Sequence, residues 1–588
     1  MAFIQEAEAE TLRNKLTDDS AQLKRLYRSK KNDYHTRSVE HNLVEDMVKD
    51  GWEEYGKPLV TKTRLRKLKK HNDKFEDDIW CQLYELGYQI LNYSNDFHLP
   101  YGKNPKERKQ IDVIAINEDS ILLVECKSSH KLSKPPSFKT EFEGLPIRLE
   151  GFKKTLEQLF GRGKKVKYIF ATRNLRIDHG STDIERLLDT NSFFYDDNTY
   201  EYVKSLIDKY KDAARYQFLA MLFRGQSISK EKIEVPAIEG KMGNKTYYMF
   251  SIEPHLLLKM GFVLHRTKAN NEEMPTYQRL LVPSRLKGIA KFIEEGGYFP
   301  NSIILNFDTK KNRMHFEPSI KGADSLSKSG MLKIPNAYAI AYIIDGQHRV
   351  YGYAQSPYKE SNTIPVVAFK DLESPEQLKL FMDINENQKA VSPTLRITLE
   401  EDLYWESDRA DARMKALRSS VIQKLNNDIS GPLYGKISIG EDKSDLPAKP
   451  FSNGLSQSGL IPSAKGNKFT PGSGSRSLYD TNNHSHDKEM SRARDSITKF
   501  INLCYQFASD NYPNVFDREG GFIMSSRGTF AFICLIGSLN RHKSEQGVVN
   551  VATRANDRFD SIKEYLSDTL LGISEITKED EQRLMRHL

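Results

Sequence analysis

Cysteine is scarce. The 588 residues hold four, Cys81, Cys126, Cys504 and Cys534, too few and too scattered for a disulfide framework or a cysteine-based zinc site. A reducing compartment is therefore expected. Long apolar runs are also missing. None approaches the roughly 20 residues that cross a bilayer as a helix, and the longest candidate, Ala337 to Ile344, reads as a buried strand. The opening MAFIQEAEAE is acidic and has no apolar signal core, which argues for a cytoplasmic protein. No sign of charge dominates: 88 Lys and Arg face 80 Asp and Glu, a net charge of +8 that permits a nucleic-acid partner without requiring one. Internal repeats are absent too. What is present is 38% hydrophobic and 10% aromatic residues, enough for real cores and against wholesale disorder. The length suggests roughly three to four domains.

The pattern divides the chain. Residues 1–70 are polar and charged with helical spacing, and they include the basic run TKTRLRKLKK at 61–70. Taken singly, such a run reads as a solvated face. Residues 71–182 give a helix with Phe75, Ile79, Leu83 and Leu86 on one side, a stop at Gly87, and two apolar strands, Ile111–Ile116 and Ile121–Glu125. A helix around Phe152–Phe160 and the strand Val166–Thr172 follow. Residues 183–234 read as a helical connector. Residues 235–440 form a second α/β region, with a helix from Arg285, strands at Ser302–Phe307 and Ile364–Phe369, and a helix at Pro375–Asn385. Residues 441–488 are rich in Ser, Gly and Pro and read as a flexible loop. Residues 489–588 are mainly helical. The fold class is thus a multidomain α/β chain with a helical C-terminal region.

The first constellation lies in IDVIAINEDSILLVECK. A β-hairpin centred on Glu118-Asp119 pairs residues whose numbers sum to 237, which sets Asp112 opposite Glu125 on one face. Lys127 lies two residues on and shares that face. Facing carboxylates repel, and a divalent cation between them removes the penalty. Oxygen ligands suit Mg²⁺ or Mn²⁺, and the lysine could orient a water or stabilise charge on a phosphate. A surface hairpin with one polar face is the plain alternative. It loses ground because the strands are almost continuously apolar, as in sheets buried on both faces.

At these residues the chain resembles the PD-(D/E)xK nuclease core of restriction-endonuclease-like proteins, in its Mrr-like form. Asp112 and Glu125-Cys126-Lys127 match the motif, Glu76 followed by Leu86-Gly87-Tyr88 matches the first helix, and Gln158 matches a recurrent glutamine. Ile111 departs from the motif's proline. The resemblance covers about residues 70–180 and implies phosphodiester hydrolysis. Metal would lie on Glu76, Asp112 and Glu125, with Lys127 and Gln158 catalytic. Arg108, Lys109 and the preceding basic stretch would then neutralise a nucleic-acid backbone.

The second constellation is AYAIAYIIDGQHRVYGYAQ: an apolar strand, the sharp turn Asp345-Gly346-Gln347-His348-Arg349, then a helix. Gly346 permits an unusual dihedral, and helix N–H groups with His348 and Arg349 could hold an anion. On local chemistry alone, an Asp-Gly turn with a satisfied core histidine explains the segment equally well. The pentapeptide resembles the signature of DGQHR-domain proteins, which include the DndB-type regulators of DNA phosphorothioation and are similar to the ParB/sulfiredoxin fold. Arg285 before the strand, and Asn385, Asn387, Gln388 and Lys389 after it, agree. The resemblance covers about residues 235–410 and implies contact with a nucleotide, ATP or CTP, or with DNA. Gln347 stands where sulfiredoxins carry their catalytic cysteine, which argues against sulfinic-acid reduction.

Three weaker patterns are set aside. His484, His486 and Asp487 lack a further placed ligand, GRGKK at 161–165 lacks the Gly-Lys-Ser/Thr ending of a phosphate loop, and Tyr351, Tyr353 and Tyr358 suit core packing as well as base stacking. The resulting expectation is a cytoplasmic, self-associating, Mg²⁺-dependent DNA endonuclease of bacterial restriction or antiviral defence. It would work with DNA, a nucleotide and other DNA-modification proteins. Two alternatives stay open: a non-cleaving regulator that binds DNA or nucleotide, and a nucleotide hydrolase.

Overall fold

A computed structural model describes residues 3–57, 59–263, 265, 281–310, 312–320, 326–386, 392–440, 442–516 and 521–574, with the side chains at 385 and 386 excepted. The chain is mixed α/β with several sheets, and its C-terminal part is helical.

The first sheet has six strands, in the order Leu16–Thr17, Ile90–Asn92, Val113–Ile116, Ser120–Ser133, Lys165–Leu175 and Phe193–Tyr195. The hairpin register is Val113 to Val124 and Ile116 to Ile121, so paired numbers do sum to 237. The strand Ser120–Ser133 runs well past Glu125 because Lys165–Leu175 pairs with it in parallel, Phe170 standing beside Glu125. Both faces are buried. Ile114, Leu123 and Phe170 pack with Phe142, Phe152 and Leu156 of the helices Lys139–Glu143 and Leu145–Phe160. Val113, Val124 and Ile169 pack instead with Phe75, Ile79 and Leu83 of the helix His71–Glu85. Such two-sided burial explains the unbroken apolar strands.

The second sheet has eight strands and contains Ile303–Phe307, Ala341–Asp345 and Ile364–Lys370. It shares one continuous core with the near face of the first sheet, from Leu23 and Trp80 through Tyr210 to Ala368. At the surface of this seam Lys259 Nζ lies 3.0 Å from Asp119 Oδ1. The helices His486–Asn511, Ser526–Glu545 and Ala555–Ser574 build a separate C-terminal core with Ala410–Asn427.

Three expectations about organisation are corrected. Residues 1–70 are not wholly helical: Tyr34–Glu40, Glu53–Glu54 and Lys62–Leu68 form a three-stranded sheet. The span 183–234 is not only a helical connector, since Phe193–Tyr195 joins the edge of the first sheet. The Ser/Gly/Pro-rich span expected at 441–488 is, over its described residues 442–488, built into the C-terminal core, with the helix Ala448–Ser458 and buried Phe451, Leu455, Leu460, Ile461, Leu478 and Tyr479. Its small residues permit close packing, as where Gly454 meets Ile533.

Candidate functional site

The hairpin face expected to carry chemistry is assembled around Glu125. Asp112 sits at a break between the strands Arg108–Ile111 and Val113–Ile116. Asn92 bridges that break: its Nδ2 donates to the Asp112 carbonyl at 3.0 Å and its Oδ1 accepts from Ile114 N–H at 3.1 Å. Backbone groups that lose ladder partners are thereby satisfied. The Asp112 carboxylate accepts the Cys126 N–H at 2.7 Å, which fixes it beside Glu125. Both acids are buried.

Glu125 is divided between two environments. Its Oε1 accepts from Lys127 Nζ at 2.6 Å and Lys109 Nζ at 3.1 Å, and Lys109 also reaches Glu141 Oε1 at 3.4 Å. Its Oε2 is buried without a hydrogen-bond partner. A buried anionic oxygen left unpaired is costly and calls for a cation or a donor. Burial first, and then the Glu125 charge, push the Asp112 pKa up to about 6, against the Cys126 hydrogen bond and the nearby lysines. For Lys127 burial acts downward, but the charge and hydrogen bond of Glu125 outweigh it and hold the pKa above its usual value. Lys127 is therefore an ammonium at neutral pH, suited to stabilising negative charge rather than to taking a proton.

Glu76 does not complete a three-carboxylate set. It projects from the helix on the opposite face of the sheet, and Asn95 Nδ2 donates to it. It feels the Asp112 charge, and burial followed by that charge raises its pKa to about 7. Among the described residues no group of three or more His, Cys, Asp or Glu converges as a metal site. Asp112 and the free oxygen of Glu125 offer a two-carboxylate half-site, which fits Mg²⁺, an ion that keeps several waters.

Gln158 is a second correction. Its Oε1 accepts from Phe3 and Ile4 N–H at 2.7 and 3.0 Å, and its Nε2 donates to the Ile4 carbonyl at 2.8 Å. Both ends of the amide are spent on the N-terminal segment, so it is a clasp. Lys109, expected to neutralise a nucleic-acid backbone, is instead bound to Glu125 and Glu141. Glu141, Asn92 and Asn95 arrive from separate elements, and nothing in their local sequence marks them.

The Asp345–Arg349 turn is formed as expected. Gly346 has φ +97°, and a short helix, Gln347–Gly352, follows. Its side chains are committed differently from the expectation of free anion donors. Gln347 is buried and accepts from Tyr210 OH at 3.2 Å. His348 Nε2 accepts from Val282 N–H at 3.3 Å, and burial together with nearby Arg285 lowers its pKa to about 4, so it is neutral. Arg349 pairs with Asp345 Oδ2 at 2.9 Å and donates to the Asn301 carbonyl. It also lines a cleft of roughly 560 Å³ with Tyr298, Phe299, Tyr353, Tyr358 and Asn362. Arg285 is exposed near the turn. The helix Ser374–Glu386 contains Asn385, but the Asn385 side chain and Asn387, Gln388 and Lys389 lie outside the described residues. Of the patterns set aside, Lys164 of GRGKK donates to the carbonyls of Asn117 and Glu118 at 2.6 and 3.0 Å, and Asp487 accepts from Trp405 Nε1 at 2.8 Å.

The two sites thus sit in a mixed α/β chain: a buried acid–lysine cluster in one sheet and a strand–glycine–helix turn in the next. Residues 235–425, which hold the turn, match the family described as DndB, DNA-sulfur modification-associated. No curated protein and no solved structure matches the chain. Among the described residues no helix is long and apolar enough to cross a membrane.

Proposed function

We propose that this chain is a Mg²⁺-dependent DNA endonuclease that serves a DNA-sulfur modification system, its central module directing the cut through DNA or a nucleotide such as ATP or CTP. The observation that carries the reading is Glu125, with one carboxylate oxygen held by two lysines and the other buried, unpartnered and beside Asp112. In this reading Asp112 and Glu125 Oε2 would hold the ion, and a bound Mg²⁺ would supply Lewis-acid chemistry at a phosphate and a water. Lys127, positively charged and only half-buried, stabilises the charge that develops on the phosphate. The family match over 235–425 supports the DNA setting. The cleft beside Arg349, walled by aromatic rings, is the proposed contact of the central module.

A second reading, a non-cleaving regulator, is favoured by a specific observation: Lys109 also occupies Glu125, and among the described residues no third carboxylate converges. Supercoiled plasmid incubated with Mg²⁺ separates the two. The nuclease reading expects nicking that EDTA abolishes, and that falls by about a hundredfold or more in Lys127→Met and Asp112→Asn. Nicking that persists in both variants removes the assignment. Binding without nicking favours the regulator.

A further inference from the structure

The chain's positive charge is concentrated in one place. Residues 20–70 contain 14 Lys or Arg and 7 Asp or Glu, a surplus of seven in a chain whose net charge is +8. Much of this surplus is not used internally. Lys24, Arg25, Arg28, Arg37, Lys62 and Arg64 are exposed, and among the described residues none of them enters an ion pair.

The three-stranded sheet gives part of that charge a fixed layout. Pairing of Tyr34–Glu40 with Lys62–Leu68 sets Thr36 opposite Arg66, Ser38 opposite Arg64 and Glu40 opposite Lys62. Opposite residues share a face. One face is closed over Leu65, which is fully buried. The other presents Lys62, Arg64 and Arg66 in a row, with the hydroxyls of Thr36 and Ser38 beside them. Cations two residues apart on a strand stand about 7 Å apart, about twice the axial phosphate rise of one DNA strand. Arg66 is stiffened by Glu53 at 2.7 Å and lies 4.4 Å from the Tyr34 ring centroid. Glu53 is neutralised by that contact, which leaves Glu40 as the acid of this face.

The sheet is tied to the candidate site. Asp77 accepts from Lys30 at 2.5 Å and from buried Lys69 at 2.8 Å. Asp77 is the residue after Glu76 on the helix His71–Glu85. Whatever the sheet holds is therefore held at a fixed distance from the acid–lysine cluster.

We infer that the open face around Lys62 and Arg64 is a backbone-gripping surface for duplex DNA, a contact that rests on the DNA reading above and adds a holding surface separate from the chemistry. It is tested by titrating the full chain into a short fluorescent duplex in EDTA and reading anisotropy over a range of KCl. The double variant Lys62→Gln, Arg64→Gln is compared with Lys465→Gln, Lys468→Gln, an equal charge loss on an exposed hairpin of the C-terminal region. The sheet variant is expected to bind more weakly at every salt concentration, with the slope of log affinity against log salt reduced by about 1.8. The hairpin variant is expected to keep the wild-type slope. A sheet variant with an unchanged slope overturns the proposal, as does a wild type that ignores duplex DNA or prefers single-stranded RNA through the same residues. Because EDTA silences metal chemistry, sheet-dependent binding with no cleavage in Mg²⁺ would sink the nuclease reading and leave this surface standing.

Discussion

Asp112→Asn is expected to stabilise the metal-free protein. The folded carboxyl is raised to about 6 from 3.8, first by burial and then by the Glu125 charge. A carboxyl whose folded pKa lies above its unfolded one supports the fold while protonated. That support is lost as pH rises from below 4 through 6. The full span corresponds to about 3 kcal/mol at pH 8, and roughly half of that is already lost at pH 5. Asparagine keeps an oxygen that can accept the Cys126 N–H, so the anchoring hydrogen bond survives in weaker, neutral form. The net gain expected at pH 8 is therefore about 1–3 kcal/mol, and it should shrink by roughly half at pH 5. Calorimetry in EDTA would read this as a midpoint a few degrees higher, on the scale of about 1–2 °C per kcal/mol for a unit of more than roughly 300 residues. Added Mg²⁺ should raise the wild-type midpoint and leave the variant unmoved, since ligand binding stabilises by about 2.7 kcal/mol at a hundred times Kd. A variant that is less stable than wild type at pH 8 would mean that the two acids do not strain each other. Equal stabilisation of both proteins by Mg²⁺ would place the ion elsewhere.

Two further outcomes follow from named contacts. Gln158→Ala removes three hydrogen bonds to Phe3 and Ile4, and is expected to cost about 1–3 kcal/mol and to expose the N-terminal segment to limited proteolysis, with Mg²⁺ binding intact. Loss of Mg²⁺ binding in that variant would return Gln158 to the site. Gly346→Ala places a Cβ at φ +97° and 2.5 Å from Ile303 Cδ1, and is expected to destabilise by about 1–3 kcal/mol in thermal unfolding. Wild-type stability there would mean the turn is not left-handed.

The central features of the fold were legible because apolar pattern and turn chemistry agreed. The polar turn at 117–120 between apolar strands fixed a register that the structure keeps residue for residue. The strand–glycine–helix turn was legible for the same reason. The N-terminal sheet was hidden because, of its strand residues, only Thr63 and Leu65 are buried, so the apolar alternation of a strand barely registers. The span 441–488 misled through composition: its small residues looked like a linker, while a few large ones, such as Phe451 and Tyr479, anchor it. In the site, Asp112, Glu125 and Lys127 could be placed on one face by strand period alone. Lys109 and Glu141 could not, because only tertiary packing brings Lys109 to Glu125 and Glu141 to Lys109. Glu76 comes near enough to feel the Asp112 charge from a helix on the other face of the sheet, and among the described residues it completes no group of three metal-ligating side chains.

The continuous core that runs from Trp80 to Ala368 has a consequence for how the protein comes apart. A boundary drawn near residue 183 or 235 would cut through packed tyrosines such as Tyr202 and Tyr210, and each half would present a greasy wound to water. The two α/β modules should therefore melt as one piece.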